Sequence, residues 1–168
     1  MTGQALRLVL VTPEIPANTG NVMRLCAATG VPLYLVEPLG FTLEHKELRR
    51  AAMDYRQGCH FTCHLTFEEL ERAHPEAGFW FFSARAEPSF FAQRVREGDF
   101  LVFGPEARGL GKRFLSVGRR QERAVRLPMP AGGRSLNLAT AAGIAVYEAL
   151  RQLGRLEGRG AGEGADHA

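Results

Sequence analysis

Apolar residues along this chain gather in short runs rich in β-branched and aromatic side chains: Leu6–Val11, Leu33–Val36, Phe79–Phe82, Phe100–Phe103 and Ala124–Leu127. A weaker run spans His60–Leu65. Short, nearly uninterrupted apolar runs suit strands buried on both faces. Between them, Val22–Ala28, Leu43–Met53, Phe67–Ala73, Phe90–Arg96 and Leu138–Leu153 carry helix-like spacing. This alternation predicts an α/β fold, a mostly parallel sheet with helices on both faces. In such sheets ligands bind beyond the carboxyl ends of the strands. Four loops of unusual composition fall there: Pro13–Asn21, Ser83–Pro88, Gly104–Gly111 and Pro128–Asn137. The site is expected among them.

Neither a repeat nor a linker interrupts Leu6–Leu153, so residues 1–153 read as one domain of a 168-residue chain. From Gly154 to Ala168 the sequence offers little to bury and reads as a flexible tail, with Arg155 and Arg159 able to touch an anion. No apolar stretch approaches the roughly 20 residues that cross a bilayer. The opening residues lack the pattern of a signal peptide, and three cysteines suit a reducing compartment. A cytoplasmic protein without a membrane partner is expected. The net charge is a modest +3, yet 19 of the 21 basic residues are arginine. Arginine's planar fork suits phosphate and stacks on bases, so RNA is permitted without being required.

Three segments carry candidate chemistry. Pro13-Glu-Ile-Pro-Ala-Asn-Thr-Gly-Asn-Val-Met-Arg24 follows a strand and enters a helix that Asn18 or Thr19 could cap, with Asn21 and Arg24 sharing a face. A capped surface turn explains it equally well. Leu101-Val-Phe-Gly-Pro-Glu-Ala-Arg-Gly-Leu-Gly111 is too glycine-rich for a mere connection. It lacks the third glycine of a dinucleotide fingerprint, and Arg113 stands where a phosphate loop needs Ser or Thr. Leu127-Pro-Met-Pro-Ala-Gly-Gly-Arg-Ser-Leu-Asn137 opens a helix whose Ala139, Ala141, Ala142, Gly143 and Ala145 permit close packing. Gly143 costs about 1 kcal/mol against alanine in mid-helix and needs a packing reason.

Cys59-His-Phe-Thr-Cys63-His64 could suggest zinc, but the spacing is unusual and no second pair follows. On a strand the thiols and imidazoles fall on opposite faces. Buried thiols and surface histidines are the expectation, with no metal.

Taken together, the three segments resemble the SPOUT class of RNA methyltransferases, and within it the compact family that 2′-O-methylates the wobble nucleotide of tRNA. Asn18–Arg24 is similar to the family's first motif, Val102–Gly109 to its second, and Leu127–Met129 with Ser135–Asn137 to its third. Glu37–Phe41, Leu48–Ala51 and Asp54-Tyr55 read like family segments between them. The likeness covers Leu6–Leu153 and implies a C-terminal trefoil knot whose loops hold S-adenosylmethionine. It implies cofactor contacts at Phe82, Gly104, Leu127 and Ser135, with Met129, Asn137, Glu106 and Gly109 in the same site. Arg24 matches the catalytic arginine, with Asn18 beside it, while Tyr147 and Arg134 join Arg24 as RNA contacts. tRNA and a second copy of the chain, as a homodimer, are the implied partners. Ala139-Thr140 and Ala131-Gly132-Gly133 depart from the family pattern and bear on substrate choice.

Methylating a ribose hydroxyl removes its proton as it attacks an activated methyl group, so the protein mainly aligns reactants. Arginine normally stays protonated, so Arg24 is read as clamping a phosphate and stabilising the developing alkoxide, with the proton passing either to a substrate phosphate or to a strongly perturbed Arg24. Two alternatives stand beside this reading. One is a ribosomal-RNA methyltransferase of the same class, many of which carry an added N-terminal domain, whereas here the first motif lies near the start. The other is a catalytically silent RNA-binding domain, against which the intact Asn18, Arg24, Glu106, Ser135 and Asn137 speak.

Overall fold

The structure, a computed structural model, describes residues 6–53 and 59–157. Six strands, β1 (Leu6–Val11), β2 (Leu33–Val36), β3 (Phe61–His64), β4 (Phe79–Phe82), β5 (Asp99–Phe103) and β6 (Ala124–Val125), form one sheet in the order β3-β2-β1-β5-β4-β6. Every pairing is parallel. Among the described residues five α-helices accompany it: α1 (Pro16–Thr29), α2 (Lys46–Met53), α3 (Phe67–Ala73), α4 (Lys112–Arg120) and α5 (Leu138–Gln152).

Side chains alternate across a strand, so each apolar run feeds two cores. Leu8, Leu10, Leu33, Leu35, Leu101 and Phe103 pack with Val22, Met23 and Cys26 of α1 and with Ala142, Ala145, Val146 and Ala149 of α5. Val9, Val11, Val36, Phe79, Phe81, Phe100 and Val102 pack on the other face with Phe67 and Leu70 of α3 and Leu115 of α4. β4 and β5 are buried along their whole length. The parallel α/β expectation is what forms.

The helices depart from expectation where local chemistry misleads. α1 begins at Pro16 with Ile15 as its N-cap, so Asn18 and Thr19 lie buried inside the first turns and do not cap it. Proline suits the first helical position because its missing N–H would have no intrahelical partner there. The Phe90–Arg96 stretch forms only a 3₁₀ turn, Phe90–Ala92, capped by the Ser89 side chain. α4 was not expected, since its few apolar residues stand among cations and Gly118 reads as a breaker. A β-carbon at Gly118 would meet the Phe81 ring at 2.9 Å, so glycine there brings α4 against β4. Asp54 and Tyr55 of the resemblance, with Arg159 and most of the tail, lie outside the described residues. Within the described part of the tail, Arg155 donates to Glu97 at 2.6 Å.

β6 is short, but its pairing continues through a bridge between Ser89 and Arg126. Phe90 N–H donates to Arg126 O, and Arg126 N–H to Pro88 O, both at 2.9 Å, holding the loop after β4 against the chain that leaves β6. α5 then returns from this edge of the sheet to pack on β1 and β5 at its centre.

The opposite end of the sheet is fixed by Asp99, a buried carboxylate 3% exposed. It accepts from Trp80 Nε1 at 2.8 Å, Arg96 N–H at 3.0 Å and Arg123 at 3.3 Å. The Arg123 guanidinium also lies 4.6 Å from the Trp80 ring centre, tying the start of β5 to β4 and to the residue before β6. Removing the carboxylate strands a buried indole N–H and a largely buried cation. Asp99→Ala should therefore cost about 3 kcal/mol. Urea denaturation measures it; an unchanged midpoint would remove Asp99 from the fold's supports.

Candidate active site

The three sequence motifs, in the segments that follow β1, β5 and β6, meet through side-chain hydrogen bonds beyond the carboxyl ends of the strands. Glu106, in the loop after β5, accepts from Glu14 N–H at 2.7 Å, Ile15 N–H at 3.0 Å and Asn18 Nδ2 at 3.3 Å. Its negative charge thus sits at the amino end of α1, where the helix dipole favours an anion. Ile15 has no capping side chain of its own, so Glu106 does this work from 91 residues away. Glu14 reciprocates through its carboxylate, accepting from Ala107 N–H at 3.2 Å. On its other side the loop is held by Gly40 N–H donating to Pro13 O at 2.8 Å, which places the Glu37–Phe41 segment behind the first motif.

The third motif joins through amides. Asn137 is the N-cap of α5, its Oδ1 accepting from Ala139 and Thr140 N–H. Its Nδ2 donates to Asn18 Oδ1 at 2.9 Å, and Asn18 Nδ2 donates onward to Glu106. Both amide orientations follow from the ends of the relay, because helix N–H groups need an acceptor and a carboxylate needs donors. Asn18 is 8% exposed, so the chain runs largely shielded from water.

Around this relay opens a cleft of about 650 Å³, within the usual range for a small-molecule site. Phe82, Gly104, Glu106, Gly109, Ser135 and Asn137 line it, as do Asn18 and Arg134. A narrower apolar recess continues from it and shares Phe82 and Ser135, adding Leu127 and Met129. All eight residues expected at a cofactor therefore face one continuous space. Phe82 and Phe103 stack at 4.5 Å between ring centres and form an apolar wall. The shape suits a ligand with a flat apolar part and a polar, charged part. Gly104 is required for the loop's path: a β-carbon there would lie 2.4 Å from Leu110 N.

Arg24 and Tyr147 do not line the cleft. Arg24 is exposed further along α1, and Tyr147 stands 52% exposed on α5. Sequence reasoning also missed Ser83, Ala84, Arg85 and Phe103 as lining residues. The loop after β4 gave a signal by its position, but no motif marked individual side chains.

Among the described residues no three His, Cys, Asp or Glu side chains gather as a metal site. Cys59 and Cys63 both pack against the core on the α1 side of the sheet. Hydrogen bonding to Cys59, then burial, pushes the Cys26 thiol far up, so it stays protonated. His60 is exposed, but His64 is not a free surface histidine: it is half-buried and stacks on Tyr34 at 6.0 Å. The expectation of surface histidines fails there because the α3 side of β3 is partly covered.

The sequence from residue 5 to 147 matches the model of the SpoU rRNA methylase family. The chain belongs to the SpoU methylase family. It is 42% identical over 149 residues, 89% of this chain and 94% of the relative, to the tRNA (cytidine(34)-2′-O)-methyltransferase of Escherichia coli K12. A solved structure that gives insight into 2-OH methylation of C/U34 on tRNA superposes with a TM-score of 0.82 at 47% identity, covering 89% of this chain and 96% of its own. The AdoMet complex of the SpoU methyltransferase AviRb from Streptomyces viridochromogenes shares the fold, with a TM-score of 0.75 at 21% identity over 95% of this chain and 61% of its own.

In this SpoU chain the Glu106 carboxylate should be a positioning group. Glu106→Ala should destabilise the protein by about 2 kcal/mol. It should also speed hydrogen exchange at the Glu14 and Ile15 amides more than at β1. Equal protection in both places would show that the carboxylate does not hold α1.

Proposed function

We propose that residues 1–153 transfer a methyl group from S-adenosylmethionine to the ribose 2′-hydroxyl of nucleotide 34, the wobble pyrimidine, in tRNA. The observation that carries this is the meeting of three loops in one cleft, in a chain whose relatives bear that activity by name. The cofactor supplies an electrophilic methyl group. Phe82, Phe103, Leu127 and Met129 offer it an apolar recess, while the backbone of the 104–109 loop and the Ser135 hydroxyl offer polar partners. The Glu106–Asn18–Asn137 relay fixes the loops, so that alignment need not be acquired during reaction.

Arg24 is assigned to the RNA. Its guanidinium clamps a phosphate and stabilises charge developing on the 2′-oxygen. Since Arg24 does not line the cleft of its own chain, a second copy supplies the missing wall. α5 supports this: Ile144 and Tyr147 are exposed at 37% and 52%. A β-carbon at Gly143 would have nothing within 4 Å, so a single chain gives no packing reason for that glycine. A two-fold pairing through α1 and α5 would cover these residues and bring Arg24 and Tyr147 of one copy towards the cleft of the other. The return of α5 from edge strand β6 to the sheet centre is where we place the trefoil knot.

Purified protein should bind S-adenosylmethionine in calorimetry with chelator present, and Arg24→Ala should keep that affinity while losing methyl transfer by on the order of a hundredfold or more. Mapping ribose methylation in RNA from a strain lacking the protein decides the substrate. Loss at nucleotide 34 is expected; loss in ribosomal RNA instead would move the assignment to that class, and no loss in either would leave a binding domain. Light scattering should give the mass of two chains, and a monomer with full activity would refute the shared site.

A further inference from the structure

Behind the loop that walls the cleft lies a second cavity of about 430 Å³. Val11, Leu110 and Phe114 give it an apolar floor, and Arg85, Arg108 and Lys112 stand around it without a carboxylate. Among the described residues neither Arg85 nor Lys112 has an ion pair. Arg108 is 83% exposed and reaches Glu14 only at 4.0 Å. The nearby acids are otherwise engaged: Glu106 accepts from three donors in the first motif, and Glu68 pairs with Arg113.

Three like charges around one cavity repel each other, and an apolar floor lessens the screening between them. An anion held among them relieves this repulsion. Each guanidinium presents a fork that matches phosphate oxygens, while the ammonium of Lys112 acts as a compact charge. The cavity and the cleft share Arg85, Pro105, Arg108 and Gly109, so they are two sides of one thin wall. S-adenosylmethionine, with an ammonium and a sulfonium against one carboxylate, is a net cation and does not suit a cavity ringed by three cations. A nucleic acid strand with one nucleotide at the cleft would bring a neighbouring phosphate to the far side of this wall.

We propose that this cavity, walled by Arg85, Arg108 and Lys112, holds a backbone phosphate of RNA flanking the nucleotide to be methylated. The inference rests on the RNA methyltransferase reading, but concerns side chains outside the Glu106–Asn18–Asn137 relay; Arg108 belongs to the second motif, whereas Arg85 and Lys112 belong to none of the three. Lys112 lines the second cavity and not the cleft, so it separates the two.

The test uses full-length protein and a fluorescently labelled anticodon stem-loop RNA, titrated by anisotropy over a range of salt. Lys112→Glu should weaken binding about tenfold at low salt, and Lys112→Ala should make the slope of log affinity against log salt shallower by about 1. KM for tRNA should rise with kcat nearly kept, while S-adenosylmethionine affinity by calorimetry stays unchanged. If wild-type protein methylates nucleotide 34 but both variants keep its RNA affinity and salt slope, the phosphate site is wrong and the activity stands. If the variants lose affinity and slope as expected while wild-type protein methylates no RNA, the site stands and the activity falls. Absence of RNA binding by wild-type protein overturns both.

Discussion

The Glu106 carboxylate is the constraint on which the site depends. It receives two backbone N–H groups and the Asn18 amide at the start of α1, while the loop that carries it is steered by Gly104 at the end of β5. An acceptor there is not optional. The Glu14 and Ile15 amides and the positive end of α1 need a partner, and Ile15 offers no side-chain acceptor. Carried by a distant loop, the cap joins two segments 91 residues apart. Asn137 extends the same polarity to α5, so the amino ends of both helices on this face of the sheet are fixed relative to each other.

Beneath the relay, parallel pairing puts the carboxyl ends of all six strands on one side. The loops after β1, β4 and β5 therefore cannot avoid each other. Asp99 secures the opposite end, where Trp80 and Arg123 converge. A buried carboxylate at one end and a capping carboxylate at the other leave the middle to apolar packing. Rigidity below and polar relays above are what methyl transfer requires: a cleft whose walls keep their spacing while two reactants are brought together.

The electrostatics separate into two regions. Around Asn18, Asn137 and Glu106 the polar groups satisfy one another, so this part of the cleft presents shape and fixed hydrogen bonding, with the exposed cations Arg85, Arg108 and Arg134 at its margin. Behind the 104–111 loop, Arg85, Arg108 and Lys112 have no such balance. Mutually satisfied partners suit a cofactor held in fixed register, whereas unbalanced cations suit a long anion gripped by charge. The exposed apolar residues of α5 form a third region, whose open Gly143 and bare Tyr147 fit a covered surface better than a solvated one.

Much of this was legible in the sequence. The apolar runs determined the strands because a strand buried on both faces needs continuous hydrophobicity, and the three loops were conspicuous because glycine, proline and charge seldom cluster without a backbone demand. The resemblance then named the residues that share the cleft. Local chemistry misled where a partner was distant. Asn18 reads as a helix cap by its type, yet the cap came from Glu106, and Asn18 became a buried link in a relay. α4 was invisible because its apolar stripe is narrow and Gly118 suits it only through contact with Phe81. The position of Arg24 outside its own cleft, and the gathering of Arg85, Arg108 and Lys112, belong to tertiary structure alone: residues from separate loops acquire a common field only when the sheet brings their strand ends together.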